Sequence, residues 1–260
     1  MDSYISRRAR SEGIDRKGVN IRGIDLELKV NGLTAMLSNR TVLDNVTFSV
    51  PESKCLGVCG PNGSGKTTLL LTIAGLYESH GTVTVDGKDV AEVDPCEAGI
   101  HYVADTAAAF DMTVSENLEM FYQCYRGYPG RHRMDSDIED ILEAVKLVGR
   151  KDSMPGTLSD GMRKGLSYAR TMVGLPDLVI MDEPFSCLDT EGRIHLEGYV
   201  RALKSLGTSF VISSNDLMSL QRVSDTLLFL KKGKVLDIID NREGLDLTER
   251  YLALMRGARF

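Results

Sequence analysis

No uninterrupted apolar run in the 260 residues approaches the roughly 18–20 needed to cross a bilayer as a helix. If this protein serves a membrane, another chain must supply the membrane part. The five cysteines (Cys55, Cys59, Cys96, Cys124 and Cys187) are odd in number and form no Cys-x-x-Cys pair. Neither a disulfide framework nor a zinc site is expected, and a reducing cytoplasm is the default compartment. A basic excess is missing as well: 31 Lys and Arg stand against 37 Asp and Glu, a net charge of −6. That balance speaks against a surface that coats nucleic acid. Internal repeats, low-complexity segments and sustained heptads are absent too, so no coiled-coil arm is expected.

What is present is ordinary for a globular protein, with 42% hydrophobic and 26% charged residues. The length suits one large domain, or one domain with an inserted lobe. Residues 1–22 are polar and locally basic (Arg7, Arg8, Arg10, Arg16, Lys17, Arg22). They read as a mobile tail or as a targeting or lipid-binding arm, and their interspersed acids speak against a transit peptide. Strands are predicted at 24–30, where Leu26, Leu28 and Val30 alternate with Glu27 and Lys29, and at 42–50, 55–59, 81–85 and 100–104. The pattern then turns helical, at 114–125 and at 138–148, where Ile138, Ile141, Leu142 and Val145 recur at helical spacing. Strand-like runs return at 178–181, 209–213, 226–230 and 234–239, with helices expected at 190–206 and 246–255. The expected organisation is a tail over 1–22, a domain over 23–240 with a helical lobe at about 113–174, and a C-terminal amphipathic helix within 241–260.

Gly60-Pro61-Asn62-Gly63-Ser64-Gly65-Lys66-Thr67 sits between the strand at 55–59 and a helix predicted over 67–75. Its glycines let backbone N–H groups point inward around a β-phosphate. Lys66 reaches the β- and γ-phosphates, Thr67 offers its hydroxyl to Mg²⁺, and Thr68 completes the binding set. The helix N-terminus adds a dipole that favours an anion. The apolar run 178–181 fits a buried parallel strand that delivers Asp182 to a Mg²⁺ shell, and Glu183 follows it.

Two further segments complete a set: Leu158-Ser159-Asp160-Gly161-Met162 and Ser186-Cys187-Leu188-Asp189. In this order the four resemble one superfamily, the ATP-binding cassette (ABC) ATPases, over nearly the whole chain. The resemblance implies an α/β P-loop NTPase fold: a mixed sheet core, an N-terminal antiparallel β subdomain and an inserted α-helical lobe. It implies ATP and Mg²⁺ as ligands, with Glu183 polarising the attacking water. Ser159 and the Gly161 N–H would contact a γ-phosphate bound by a second subunit, and Asp189 would belong to the loop that couples the two sites. Met162 and the closing helix at 247–254 resemble exporter subunits.

Four positions depart from the family pattern. Leu37 stands where an aromatic residue usually stacks on adenine. Such a loss weakens ATP binding by about 1–3 kcal/mol on the base-stacking scale. Asp105 stands where a Gln touches metal and water, so it is expected both as a catalytic residue and as a metal ligand. Asp160 replaces a glycine of the signature motif, where a carboxylate about 5 Å from a phosphate oxygen is repelled by roughly 3 kcal/mol. Asn215, in Val211-Ile212-Ser213-Ser214-Asn215-Asp216, occupies the place of a switch histidine. It donates a hydrogen bond but cannot shuttle a proton, a loss on the order of 10²–10⁴ in rate. His80, His101, His132 and His195 sit in no matching context. The aromatic and apolar cluster Phe110, Met112, Phe121, Tyr122, Tyr125 and Tyr128 fits a groove for a membrane subunit or the lobe's own core.

The expected function is the ATP-hydrolysing subunit of an ABC transporter of exporter type, slow or partner-dependent. It would dock on transmembrane permease subunits at the cytoplasmic membrane face and pair with a second ABC subunit, a homodimer before a heterodimer. No nucleic-acid partner is expected. The alternatives are a soluble ABC ATPase in assembly or regulation, and an ATP-gated scaffold; the retained Glu183 counts against the scaffold.

Overall fold

The structure, a computed structural model, describes residues 27–94, 98–103, 111–126, 131–174, 176–186 and 188–257. The tail at 1–22, Cys96, Asp105, Phe110, Tyr128 and Cys187 lie outside the described residues, and of Tyr125 only the backbone is described.

Two sheets divide the work. The first is antiparallel, in the order β2–β1–β4–β5, from β1 (Glu27–Leu37), β2 (Arg40–Pro51), β4 (His80–Val85) and β5 (Lys88–Asp89). Ser38 and Asn39 both have positive φ, 47° and 63°, as a two-residue hairpin turn requires to follow the right-handed strand twist. On β2, Leu43, Val46, Phe48 and Val50 point inward while their neighbours face out. The second sheet runs β10–β9–β3–β8–β7–β6. Its strands are β3 (Cys55–Cys59), β6 (Ile100–Val103), β7 (Leu178–Asp182), β8 (Ser209–Ser213), β9 (Thr226–Lys231) and β10 (Lys234–Asp240). All pairs are parallel except β9 with β10. β3 and β8 are buried throughout, as central strands covered on both faces must be.

One core lies between the antiparallel sheet and the near face of the large sheet, built from Leu28, Val30, Phe48, Val58, Leu70 and Leu228 among others. The helix α1 (Lys66–Ile73) belongs to it through Leu69, Leu70 and Ile73. The second core covers the far face and runs into the helical lobe formed by α2 (Val114–Arg126), α3 (Arg131–Ala144) and α4 (Asp160–Gly174). It also takes in α5 (Thr190–Lys204), α6 (Leu217–Val223) and α7 (Leu247–Arg256). The architecture is the expected α/β mixed-sheet core with an N-terminal antiparallel sheet and helical lobe.

The lobe is anchored by polar contacts as well. Thr113 and Glu116 form a reciprocal cap at the start of α2, with Thr113 N–H donating to Glu116 Oε2 at 2.8 Å and Glu116 N–H donating to Thr113 Oγ1 at 3.3 Å. The backbone N–H of Thr113 holds the Glu116 carboxyl below its ordinary pKa. Arg170 of α4 is buried, donates to Asn117 Oδ1 of α2 and lies 5.1 Å from the centre of the Phe121 ring. Tyr122 is a core residue and Phe121 packs against that core, whereas Met112 stays exposed. The first two therefore serve the lobe's own core. His101 on β6 is buried against Gly174, where an added Cβ would lie 2.3 Å from the ring, and burial lowers its pKa to about 4.

Candidate nucleotide site

The phosphate loop begins where β3 ends, and three local features shape it. Gly60 passes so close to β9 that a Cβ would lie 2.2 Å from the Leu230 carbonyl oxygen. Gly65 has φ of 106°, open to glycine and strained for any other residue, and directs the chain into α1. Gly233, in the β9–β10 turn, donates its N–H to the Ser64 carbonyl at 2.8 Å and accepts from Asp44 N–H at 2.9 Å. A Cβ there would lie 2.2 Å from the Val42 carbonyl oxygen, so this turn clamps the loop against β2. Asn62, Gly63 and Thr67 are exposed, Pro61, Gly65 and Thr68 half-buried, and Ser64 Oγ is buried with no hydrogen-bond partner among the described residues.

Lys66 is only 7% exposed and turns back over the loop. Its ammonium donates to the Gly60 carbonyl at 2.8 Å and to Asn215 Oδ1 at 3.1 Å, and lies 3.6 Å from Glu183 Oε1. Asn215 Nδ2 donates to Asn62 Oδ1 at 2.9 Å. Parallel neighbours β7 and β8 bring Asp182 and Glu183 beside Ser213, Ser214 and Asn215. Ser213 Oγ donates to Asp182 Oδ1, and Glu183 N–H donates to the Ser213 carbonyl at 3.1 Å. Glu183 Oε2 accepts from Asn215 N–H at 3.0 Å and from Ser214 Oγ at 3.4 Å. Its other oxygen, Oε1, is buried without a hydrogen bond among the described residues. Glu183 has φ of 47°, a backbone conformation costing about 1–3 kcal/mol in a non-glycine residue. Tyr102 on β6 has its pKa raised by burial and then by the charge of Asp182.

Among the described residues no group of three or more His, Cys, Asp or Glu gathers as a metal cage. The oxygen donors of Thr67 and Asp182 suit Mg²⁺, which takes one or two protein ligands and fills its shell with phosphate and water. The buried Glu183 oxygen without a hydrogen bond fits beside such a shell.

Ser159, Gly161 and Asp189 form a second cluster, apart from the phosphate loop. They line a cavity of about 370 Å³ with Lys164, Tyr168, His195 and Tyr199. Ser159 Oγ accepts from Met162 N–H at 3.3 Å, and Asp189 caps α5 by accepting from Gly192 N–H at 2.8 Å. Asp160 is ion-paired with Arg163 one turn on, so its charge is compensated at the surface. Leu37 ends β1 and is exposed. Sequence reading assigned no role in the site to Tyr102, Gly233 or the two serines Ser213 and Ser214, although both serines stand in the segment quoted for Asn215. The paired serines directly before Asn215 were the one visible signal.

The family described as ABC transporter matches residues 43–186. The sulfate/thiosulfate import ATP-binding protein CysA of Mycobacterium bovis is 35% identical over 196 residues, 74% of this chain and 55% of that protein. The Nod factor export ATP-binding protein I of Ralstonia nicotianae is 32% identical over 237 residues, 86% of this chain and 72% of that protein. The chain thus spans about half the length of the import relative. A solved ATP binding subunit of an ABC transporter superposes with a TM-score of 0.80 at 26% identity, covering 88% of this chain and 99% of that one.

Proposed function

The chain belongs to the ABC transporter family of ATP-binding proteins, and from that premise we propose that it binds and hydrolyses MgATP as the energising subunit of a transporter. One observation carries the reading: Lys66, Glu183 and Asn215 meet in a single hydrogen-bonded group behind a glycine-shaped anion loop. The loop over residues 60–67, through its backbone N–H groups other than at Pro61, and Thr68 hold the phosphates, and Lys66 bridges β and γ. Thr67, Asp182 and Asp105 are the proposed Mg²⁺ ligands; the bound metal supplies neutralising charge at the β- and γ-phosphates. Glu183 takes the proton of the attacking water, its Oε2 fixed by Asn215 N–H and its Oε1 free to accept. Asn215 and Asp105 complete the catalytic set. In a head-to-tail dimer, Ser159, Gly161 and Asp189 of the second copy close over the γ-phosphate.

Exporter type is the preferred form, supported by Met162 and α7, which resemble exporter subunits, and by an export relative aligned over 86% of this chain. A homodimer is preferred on symmetry grounds. No helix among the described residues is long and apolar enough to cross a membrane, so transmembrane permease subunits would hold the chain at the cytoplasmic membrane face.

Equilibrium binding of MgATP tests the site. Lys66→Ala is expected to weaken it about tenfold or more, the scale of charged hydrogen bonds; equal affinity would remove the phosphate role from this loop. Cell fractionation tests the setting. The chain should sediment with membranes and leave them bound to an integral membrane partner; recovery wholly in the soluble fraction would favour an assembly ATPase.

A further inference from the structure

Asn215 is joined to three groups of the site at once, and two of those bonds run across the phosphate loop. Its Oδ1 accepts from the Lys66 ammonium at 3.1 Å, and its Nδ2 donates to Asn62 Oδ1 at 2.9 Å. The orientation is self-consistent. Lys66 has only donors, so the carbonyl of the Asn215 amide must face it, and the NH₂ must then face Asn62 and find an acceptor there. The remaining reach of the ammonium goes to the Gly60 carbonyl at 2.8 Å and toward Glu183 Oε1 at 3.6 Å. Two of the three donors of Lys66 are therefore taken by oxygens of its own chain, and the ammonium is ion-paired with Glu183 as well.

We propose that Asn215 is a clasp on the phosphate loop: it bridges Lys66 to Asn62 and competes with the β-phosphate of a nucleotide for the same ammonium. The proposal rests on the reading that this loop binds adenine nucleotides. It gives Asn215 a positioning role on Lys66, apart from any contact with a γ-phosphate. The amide titrates at no physiological pH, so the clasp is set at the same tension throughout. Nucleotide entry is then a displacement, and affinity is lower than the loop alone would give. Asn215 is exposed, so the clasp contributes no core packing and can be removed without disturbing the fold.

MgADP is the informative probe, because it engages Lys66 through its β-phosphate but offers no γ-phosphate to residue 215. Its dissociation constant is measured by calorimetry for the full chain, Asn215→Ala and Asn215→Leu. Leu keeps the approximate shape of Asn without the amide. Both variants are expected to bind MgADP about 3- to 30-fold more tightly, a fraction of the one charge-assisted and one neutral hydrogen bond released, because water replaces part of both at this exposed position. Unchanged or weaker binding in both variants would overturn the clasp. Tightening in Asn215→Ala alone would overturn it too, since the side chain would then have acted by filling space. Failure of the unsubstituted chain to bind either MgADP or MgATP is a separate result, and it overturns the nucleotide reading itself.

Discussion

Glu183→Gln is expected to lower ATP turnover by about 10³ while leaving MgATP bound, the loss typical of removing a positioned general base. The geometry makes the substitution unusually clean. Glu183 Oε2 is held by two donors, Asn215 N–H and Ser214 Oγ. A glutamine in this place must present its carbonyl oxygen to those donors, so its NH₂ falls where Oε1 now lies, 3.6 Å from the Lys66 ammonium. The side chain keeps its place and its anchor. It loses only the atom able to accept a proton, and it gains a donor facing a cation. Removing a negative charge beside the phosphates also leaves ATP affinity equal or higher. Phosphate release under saturating ATP, measured together with the dissociation constant, separates the two effects. Turnover within tenfold of the unsubstituted chain would move the base elsewhere, and lost ATP binding would mean that Glu183 holds the loop together through Lys66.

The phosphate loop was readable from sequence because each of its parts acts locally. A glycine at φ of 106° and a lysine one residue later need no distant partner to be recognised. The groups that aim Asp182 and Glu183 were not readable, because they come from another strand. Ser213 and Ser214 lie about thirty residues on in sequence and meet the acids only through the β7–β8 register. Gly233 reaches the loop from still farther along the chain. Element ends failed where the pattern failed. β1 was expected to end at residue 30 and continues to Leu37, because register shifts between Val30 and Leu33 and again near Ala35 break the alternation. α3 was expected from Ile138 and begins at Arg131, since Met134 is the one buried apolar residue in its polar first half. α6 was missed outright: it has seven residues, and what starts it is the Asp216 carboxylate accepting from Ser219 N–H at 3.1 Å.

Asn215→His is expected to raise maximal turnover, on the order of 10² at pH 8, the lower part of the range for an acid–base or positioning group. Residue 215 stands where its backbone N–H orients Glu183 and its side chain meets Lys66, so a change there acts on base and phosphate ligand together. The amide now present can hold either neighbour but passes no proton between them. A neutral imidazole still offers one acceptor to Lys66 and adds a site that takes and returns a proton. The gain carries a pH signature that the asparagine lacks. The imidazole changes charge near its ordinary pKa of about 6.5, with the Lys66 ammonium disfavouring the imidazolium and the Glu183 carboxylate and bound phosphates favouring it. The gain should be full above that pKa and fade as pH falls through it, while the unsubstituted chain stays flat over the same interval. Working at saturating ATP keeps the clasp out of the measurement, because a change of affinity then alters KM and not kcat. No gain at any pH would mean that asparagine serves this position as well as histidine does, and any slowness of the chain would then have to arise at Asp105, at Asp160 or in the approach of a second subunit.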